Sequence, residues 1–176
     1  LPGVTFALFY VLAERAKSKN EFGDAMRIFL TVCLFAFVLV SPVAANQLNG
    51  HESSYLAMHG NDPVDWQEWM AEVLAQAKKQ NKLLFVSIGY FSCHWCHVMQ
   101  RESFRDQQVA ALLNKHFISV KVDRELNPAL DAYLLDFVSR TQGSAGWPLN
   151  VFLTADGHPL VGMVYLPKER FISLLN

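Results

Sequence analysis

Residues 82–89, Lys-Leu-Leu-Phe-Val-Ser-Ile-Gly, form a short and almost unbroken apolar run. Such a run, bounded by polar and glycine residues, is the signature of a strand buried on both faces in mid-sheet. The chain must therefore cover this strand from both sides, which points to a layered α/β fold. A dithiol follows at once, because Cys93 and Cys96 stand in the sequence Phe-Ser-Cys-His-Trp-Cys-His.

The flanking sequence places that pair. Residues 93–116 have helical character with a break near Ser103 to Asp106, where Asp106 can cap the next turn. Cys93 is thus predicted where a strand gives way to a helix N-terminus. Upstream, Asp62 reads as an N-cap and Pro63 as the first residue of an amphipathic helix. Trp66, Trp69, Met70, Val73, Leu74 and Ala77 would form its apolar stripe, with Lys78, Lys79 and Lys82 at its end. Downstream, residues 117–123 read as a strand. Residues 127–140 read as a helix with Leu130, Tyr133, Leu134, Phe137 and Val138 on one face. Residues 149–154 and 159–166 form an apolar hairpin about the turn Ala155-Asp156-Gly157-His158, and a last helix starts at Pro167. Helix-separated strands imply parallel crossovers, with an antiparallel edge supplied by the hairpin.

Cysteine usage depends on the compartment. Met26 and Arg27 precede an apolar stretch from Ile28 to Val40 and small residues at Val43 and Ala45. This reads as a signal peptide over residues 26–45, cut after Ala45. The alternative is an uncleaved anchor, for which the apolar run is short of the roughly 20 residues that span a bilayer. Residues 1–25 begin without Met and read as lying upstream of a start at Met26, with a native extension as the alternative. The expected organisation is then a lead-in over 46–60 and one domain over 61–176. Residues 46–176 carry 11 Lys and Arg against 13 Asp and Glu. With no basic stripe, nucleic acid is not an expected partner.

Removing the signal would remove Cys33 and leave Cys93 and Cys96 as the only cysteines. A pair three positions apart closes a very small loop and stabilises little by chain entropy, so it reads as reactive rather than structural. Three chemistries compete for the motif. C-x-x-C is the spacing of thioredoxin-like redox sites, whereas adding His97 makes C-x-x-C-H, the spacing of covalent haem attachment. Haem would take His97 and a methionine such as Met99 as ligands, but it conflicts with the buried strand and helix on either side of the motif. Zinc would need a second, distant ligand pair, and His51, His59, His116 and His158 are scattered. A non-catalytic module with an idle dithiol is a further alternative. No metal and no cofactor are expected.

Several separated motifs, including Ser53 to Trp66, Ser87 to Phe104, Val120 to Pro128 and Gly146 to Thr154, resemble the thioredoxin-like domain of the DsbH and spermatogenesis-associated thioredoxin group. The resemblance covers about residues 51–166. It implies a thioredoxin-like fold, with a central mixed sheet flanked by helices and Cys93 at a helix N-terminus. It also implies a short, exported form acting in the periplasm or outside the cell as a dithiol oxidoreductase. Cys93 would be the nucleophile and Cys96 the resolving thiol, with His94 and Trp95 supporting them. Gly146, Trp147 and Pro148 would form a cis-proline segment that pairs with an extended substrate. The expected substrates are disulfide-containing exported proteins, reduced by a monomer that draws electrons from a membrane thiol-disulfide donor. Oxidase and isomerase activity are the alternative directions. One departure is visible: common thioredoxins hold a buried acid in the strand before the dithiol, and residues 82–89 contain none. Asp123 and Glu125, at the end of the next strand, are candidates to handle protons in its place.

Overall fold

The computed structural model describes residues 46–176. The signal-like segment and everything upstream lie outside the described residues. Five strands and six α-helices follow one another in this span. They are α1 (Ser54–Ala57), β1 (Gln67–Glu68), α2 (Ala71–Gln80), β2 (Leu83–Gly89), α3 (His94–Met99), α4 (Gln107–His116), β3 (Phe117–Asp123), α5 (Pro128–Gln142), β4 (Leu149–Leu153), β5 (Pro159–Met163) and α6 (Lys168–Leu175). A π-helical turn, Gln100–Phe104, joins α3 to α4, and the Asp106 side chain caps α4 through the amides of Gln108 and Val109.

The strands form one mixed sheet in the order β1-β3-β2-β4-β5. Strands β1 and β2 run parallel to β3, whereas β4 is antiparallel to both β2 and β5. The parallel crossover expected between β3 and β4 is therefore not made. Helix α5 returns the chain to the far side of β2 in the opposite direction, so the parallel crossovers are those from β1 to β2 and from β2 to β3.

Strand β2 is buried along all but its first residue, as its composition requires. Because side chains alternate across a strand, Leu84, Val86 and Ile88 enter one core, together with Val120 and Val122 of β3 and Leu134 and Val138 of α5. Phe85 enters the other, which holds Trp66, Phe104, Phe152, Phe171 and both cysteines of the dithiol. Ser87 and Gly89 share that second face, opposite Lys121 and Asp123 of β3 in the parallel register. The dithiol side of the sheet thus carries an apolar cluster interrupted by a short polar row.

The first helix differs from its expected form. Helix α2 starts at Ala71, not Pro63, and Met70 occupies its N-cap without a side-chain bond. Asp62 instead turns inward. Its carboxylate accepts from His59 Nδ1 at 2.6 Å, Trp66 Nε1 at 3.3 Å and Gln100 Nε2 at 3.0 Å. Asn114 of α4 binds the amide of Asp65 and the carbonyl of Pro63, which fixes this loop as a non-helical segment. Trp66 and Met70 fit a helical stripe by spacing, yet Trp66 is fully buried under the sheet while Met70 is exposed. Residues 46–60 are built into the same layer. Leu48, Tyr55 and Leu56 are buried, and the Asn46 amide donates to the carbonyls of His59 and Asp62.

Because Asp62 satisfies three buried donors at once, removing it should cost more than a single bond. Asp62→Ala is expected to destabilise the protein by about 3 kcal/mol or more, read as a lower urea midpoint. Asp62→Asn, which keeps the shape but loses the charge, should cost less.

Candidate active site

Cys93 and Cys96 form a disulfide at the start of α3. Cys93 is the N-cap residue, and its sulfur accepts from the Cys96 amide at 3.2 Å. Backbone donors at a helix start favour a sulfur anion at that position. Cys93 is 3% exposed and Cys96 is fully enclosed, so a partner approaching from outside meets Cys93 first. The arrangement is suited to attack by one sulfur from the surface and by the other from within.

An aromatic collar surrounds this opening. Phe91 is 57% and Trp95 52% exposed. The Trp95 ring lies 5.0 Å from that of Tyr165 and 5.4 Å from that of His94, while the Tyr165 hydroxyl donates to Glu102. Exposed aromatic surface of this kind favours contact with apolar segments of a partner. His94 itself faces solvent.

Gly146, Trp147 and Pro148 precede β4, and the Trp147–Pro148 peptide is cis. The Trp147 indole is fixed from three sides. Its Nε1 donates to Asp131 at 2.8 Å, the Arg124 guanidinium lies 3.9 Å from its ring centre, and Tyr90 packs edge-on. Asp131 also faces Arg124 at 3.4 Å. The indole packs against both cores, including the cluster that holds the two cysteines. Gly146 and Trp147 make no backbone–backbone hydrogen bond among the described residues, which leaves their main-chain groups available to an incoming strand.

The groups required by haem are engaged in packing. His97 Nε2 bonds the Phe91 carbonyl at 2.7 Å, and Met99 is fully buried with its sulfur against the Asn150 amide at 3.4 Å. Among the described residues, no group of three or more His, Cys, Asp or Glu could hold a metal ion.

Behind the dithiol lies the polar row on the sheet, whose central member sequence reasoning missed. Lys121 is fully buried, donates to Ser87 Oγ at 2.9 Å, and has its ammonium 4.4 to 5.3 Å from the ring centres of Phe104, Trp66 and Tyr55. No carboxylate comes within ion-pair distance of it among the described residues. The alternation of residues 117–123 was the available signal, because a strand already buried on its Ile-Val-Val face leaves Ser119, Lys121 and Asp123 for the other core. Of the two acids considered for proton handling, Asp123 is buried and accepts from Ser53 Oγ at 2.6 Å, whereas Glu125 faces solvent. His59, also enclosed, is pushed down to about 3, first by burial and then by the charge of Lys121.

Burial lowers the Lys121 ammonium to about 7, against a smaller opposing pull from Asp62. Between about pH 7 and 10 the unfolded chain holds a proton that the folded chain has released, so stability rises with pH across that window. Urea unfolding of the oxidised protein should show greater stability at pH 9 than at pH 6.5. Lys121→Met should flatten the rise, and an unchanged slope in that variant would assign it to other groups.

Comparison with known proteins agrees with this architecture. Residues 45–175 match the family model Thioredox_DsbH, described as a protein of unknown function, DUF255. The chain is 47% identical over 125 residues to spermatogenesis-associated protein 20 of Rattus norvegicus, covering 71% of this chain and 16% of that protein. It is 46% identical over 124 residues to the Homo sapiens protein of the same name, covering 70% and 16%. The chain thus spans about a sixth of the length of these relatives. Among solved structures, it resembles a DsbH oxidoreductase with a TM-score of 0.52 and 21% identity, covering 77% of this chain and 87% of that one. A disulfide-isomerase-like structure from Bacteroides thetaiotaomicron gives 0.51 and 24%, covering 64% and 89%. The mixed sheet and the C-x-x-C pair at a helix start are those of the thioredoxin fold, and the chain belongs to the Thioredox_DsbH family.

Proposed function

We propose that this chain is a thiol-disulfide oxidoreductase that reduces disulfides in exported proteins through Cys93 and Cys96. The observation that carries the reading is the asymmetry of the pair. Cys93 caps α3 at the mouth of the site with a backbone amide on its sulfur, and Cys96 is enclosed one turn behind it.

In the reduced protein the Cys93 thiolate attacks a substrate disulfide. One substrate sulfur leaves, takes up a proton and departs as a thiol, and a mixed disulfide remains on Cys93. Cys96 then attacks Cys93, the second substrate thiol is released, and the protein disulfide closes. Trp95 offers a flat apolar surface to the substrate, and His94 beside it, when protonated, favours the Cys93 thiolate. The free main chain of Gly146 and Trp147, next to Pro148, pairs with an extended substrate segment in the manner of an added strand.

Reduction, rather than oxidation, is favoured by the enclosure of Cys96 away from water. An unpaired thiolate is disfavoured there, so the closed disulfide is the stable state and electrons pass outward. A membrane thiol-disulfide protein is the expected electron donor, because the signal-like segment would carry the chain into an oxidising compartment.

Equilibration of the full chain with glutathione, read by thiol labelling, tests the direction. A potential near about −270 mV marks a reductant of thioredoxin type, whereas about −120 mV would make the protein an oxidant. Cys93→Ala should abolish disulfide reduction, and Cys96→Ala should accumulate a mixed disulfide with substrate. Equal partial losses from both changes would contradict these assignments.

A further inference from the structure

Tyr55 of α1 is buried beside the dithiol, and no group among the described residues bonds its hydroxyl. The side chain is 1% exposed, and its Oη has no hydrogen-bond partner among the described residues. Buried hydroxyls are seldom left in that condition. The surroundings show which partner it faces. Gly89, the last residue of β2, has no Cβ; one placed there would collide with Tyr55 Oη and would lie 2.7 Å from Cys96 Sγ. The phenol oxygen and the inner sulfur therefore converge on the bare side of Gly89, one carried by α1 and the other by α3.

We propose that Tyr55 is the hydrogen-bond donor that stabilises Cys96 in the reduced protein, and so assists release of substrate from Cys93. This rests on the dithiol reading above and adds to it the group that offsets part of the cost of ionising an enclosed thiol. In the disulfide, Cys96 Sγ is a weak acceptor and the hydroxyl stands idle. Once the bond is reduced, the same sulfur becomes a thiol or thiolate that accepts a proton donor well.

The charged and titratable groups around the pair are His59 and Asp62 of the loop after α1, Lys121 and Asp123 of β3, and His97 of α3. Lys121, against the Tyr55 ring at 5.3 Å, favours an anion in this enclosure, and the two carboxylates oppose it. Burial, followed by the charges of Asp123 and Asp62, holds the phenol well above its ordinary range, so Tyr55 keeps its proton wherever the enzyme works.

The step balances without any group beyond those already named. Cys96 loses its thiol proton to solvent, and the thiolate attacks Cys93 Sγ. The bond from Cys93 to the substrate sulfur breaks as the Cys93–Cys96 bond forms. The substrate leaves with the electron pair and takes up a proton. Tyr55 donates a hydrogen bond throughout and is not consumed.

Tyr55→Phe keeps the ring against His59 and Lys121 and removes only the hydroxyl. In the full chain, reduced and carrying Cys33→Ser, the Cys96 titration is followed by the carbon resonance of its Cβ. The variant should titrate about one to two pH units higher, the value of one hydrogen bond to a charged group. At pH 7 its mixed disulfide should resolve roughly three- to tenfold more slowly, since the smaller thiolate fraction is partly offset by a stronger nucleophile. Alkylation of Cys93 should be unchanged.

An unmoved Cys96 midpoint overturns the proposal. If the variant does not fold, the Tyr55 Cζ resonance of the parent protein serves instead: it should shift at the Cys96 midpoint, and a Cζ resonance indifferent to that titration would be equally adverse. The oxidoreductase reading fails by a different sign, namely a parent disulfide that does not exchange with glutathione. The titration of chemically reduced protein reads Tyr55 whatever that exchange shows.

Discussion

A buried ammonium organises the half of the molecule that carries the dithiol. Lys121 projects from the middle of β3 into a core of Phe, Trp and Tyr rings, and its one hydrogen-bond partner among the described residues is the hydroxyl of Ser87 on the neighbouring strand. An isolated cation in such surroundings is costly unless it is paired, solvated by π faces or deprotonated. Three aromatic rings and a lowered proton affinity supply the last two routes here. The segment from Asn46 to Trp66 supplies two of those rings and covers the strand, so this layer is as much a condition for the buried lysine as the sheet itself.

The location of the dithiol follows from the same two strands. Ser87 and Gly89 lie on one face of β2 because Leu84, Val86 and Ile88 occupy the other. At Gly89 the Tyr55 hydroxyl of α1 and the Cys96 sulfur of α3 come together, since a side chain there would overlap both. The wide π-helical turn after α3 delivers Gln100 and Phe104 to the same layer, one to Asp62 and the other to the lysine. A short apolar strand, a glycine at its end and an irregular helix turn thus place two sulfurs between solvent and a polar pocket.

Much of this could be read from residue order. The buried strand, the helix start at Cys93, the break closed by Asp106 and the final hairpin all rest on local signals, in which burial pattern and capping chemistry coincide. Asp62, Pro63 and Trp66 misled because a good cap, a good first residue and helical spacing are local properties. The bonds that claim Asp62 come from His59 and Gln100, and those that hold the loop come from Asn114. The direction of β4 was equally out of reach, since helix length alone does not say on which side of β2 the chain will return. Lys121 was legible in principle, because a strand saturated with Ile and Val on one face has to send its lysine inward when the other face is also covered.

The layer over Lys121 comes from chain far ahead of the C-x-x-C motif, tied to the sheet by Ser53 at Asp123 and closed on itself by Asn46 at the loop carbonyls. The chemistry of the pair is therefore not portable with residues 82–104 alone. Transplanting that strand and helix into another thioredoxin scaffold would carry over both sulfurs with Phe91 and Trp95, but not Tyr165. It would leave behind both the lysine and the cover that keeps water from it, and the transplanted dithiol would then take its acidity and potential from the host.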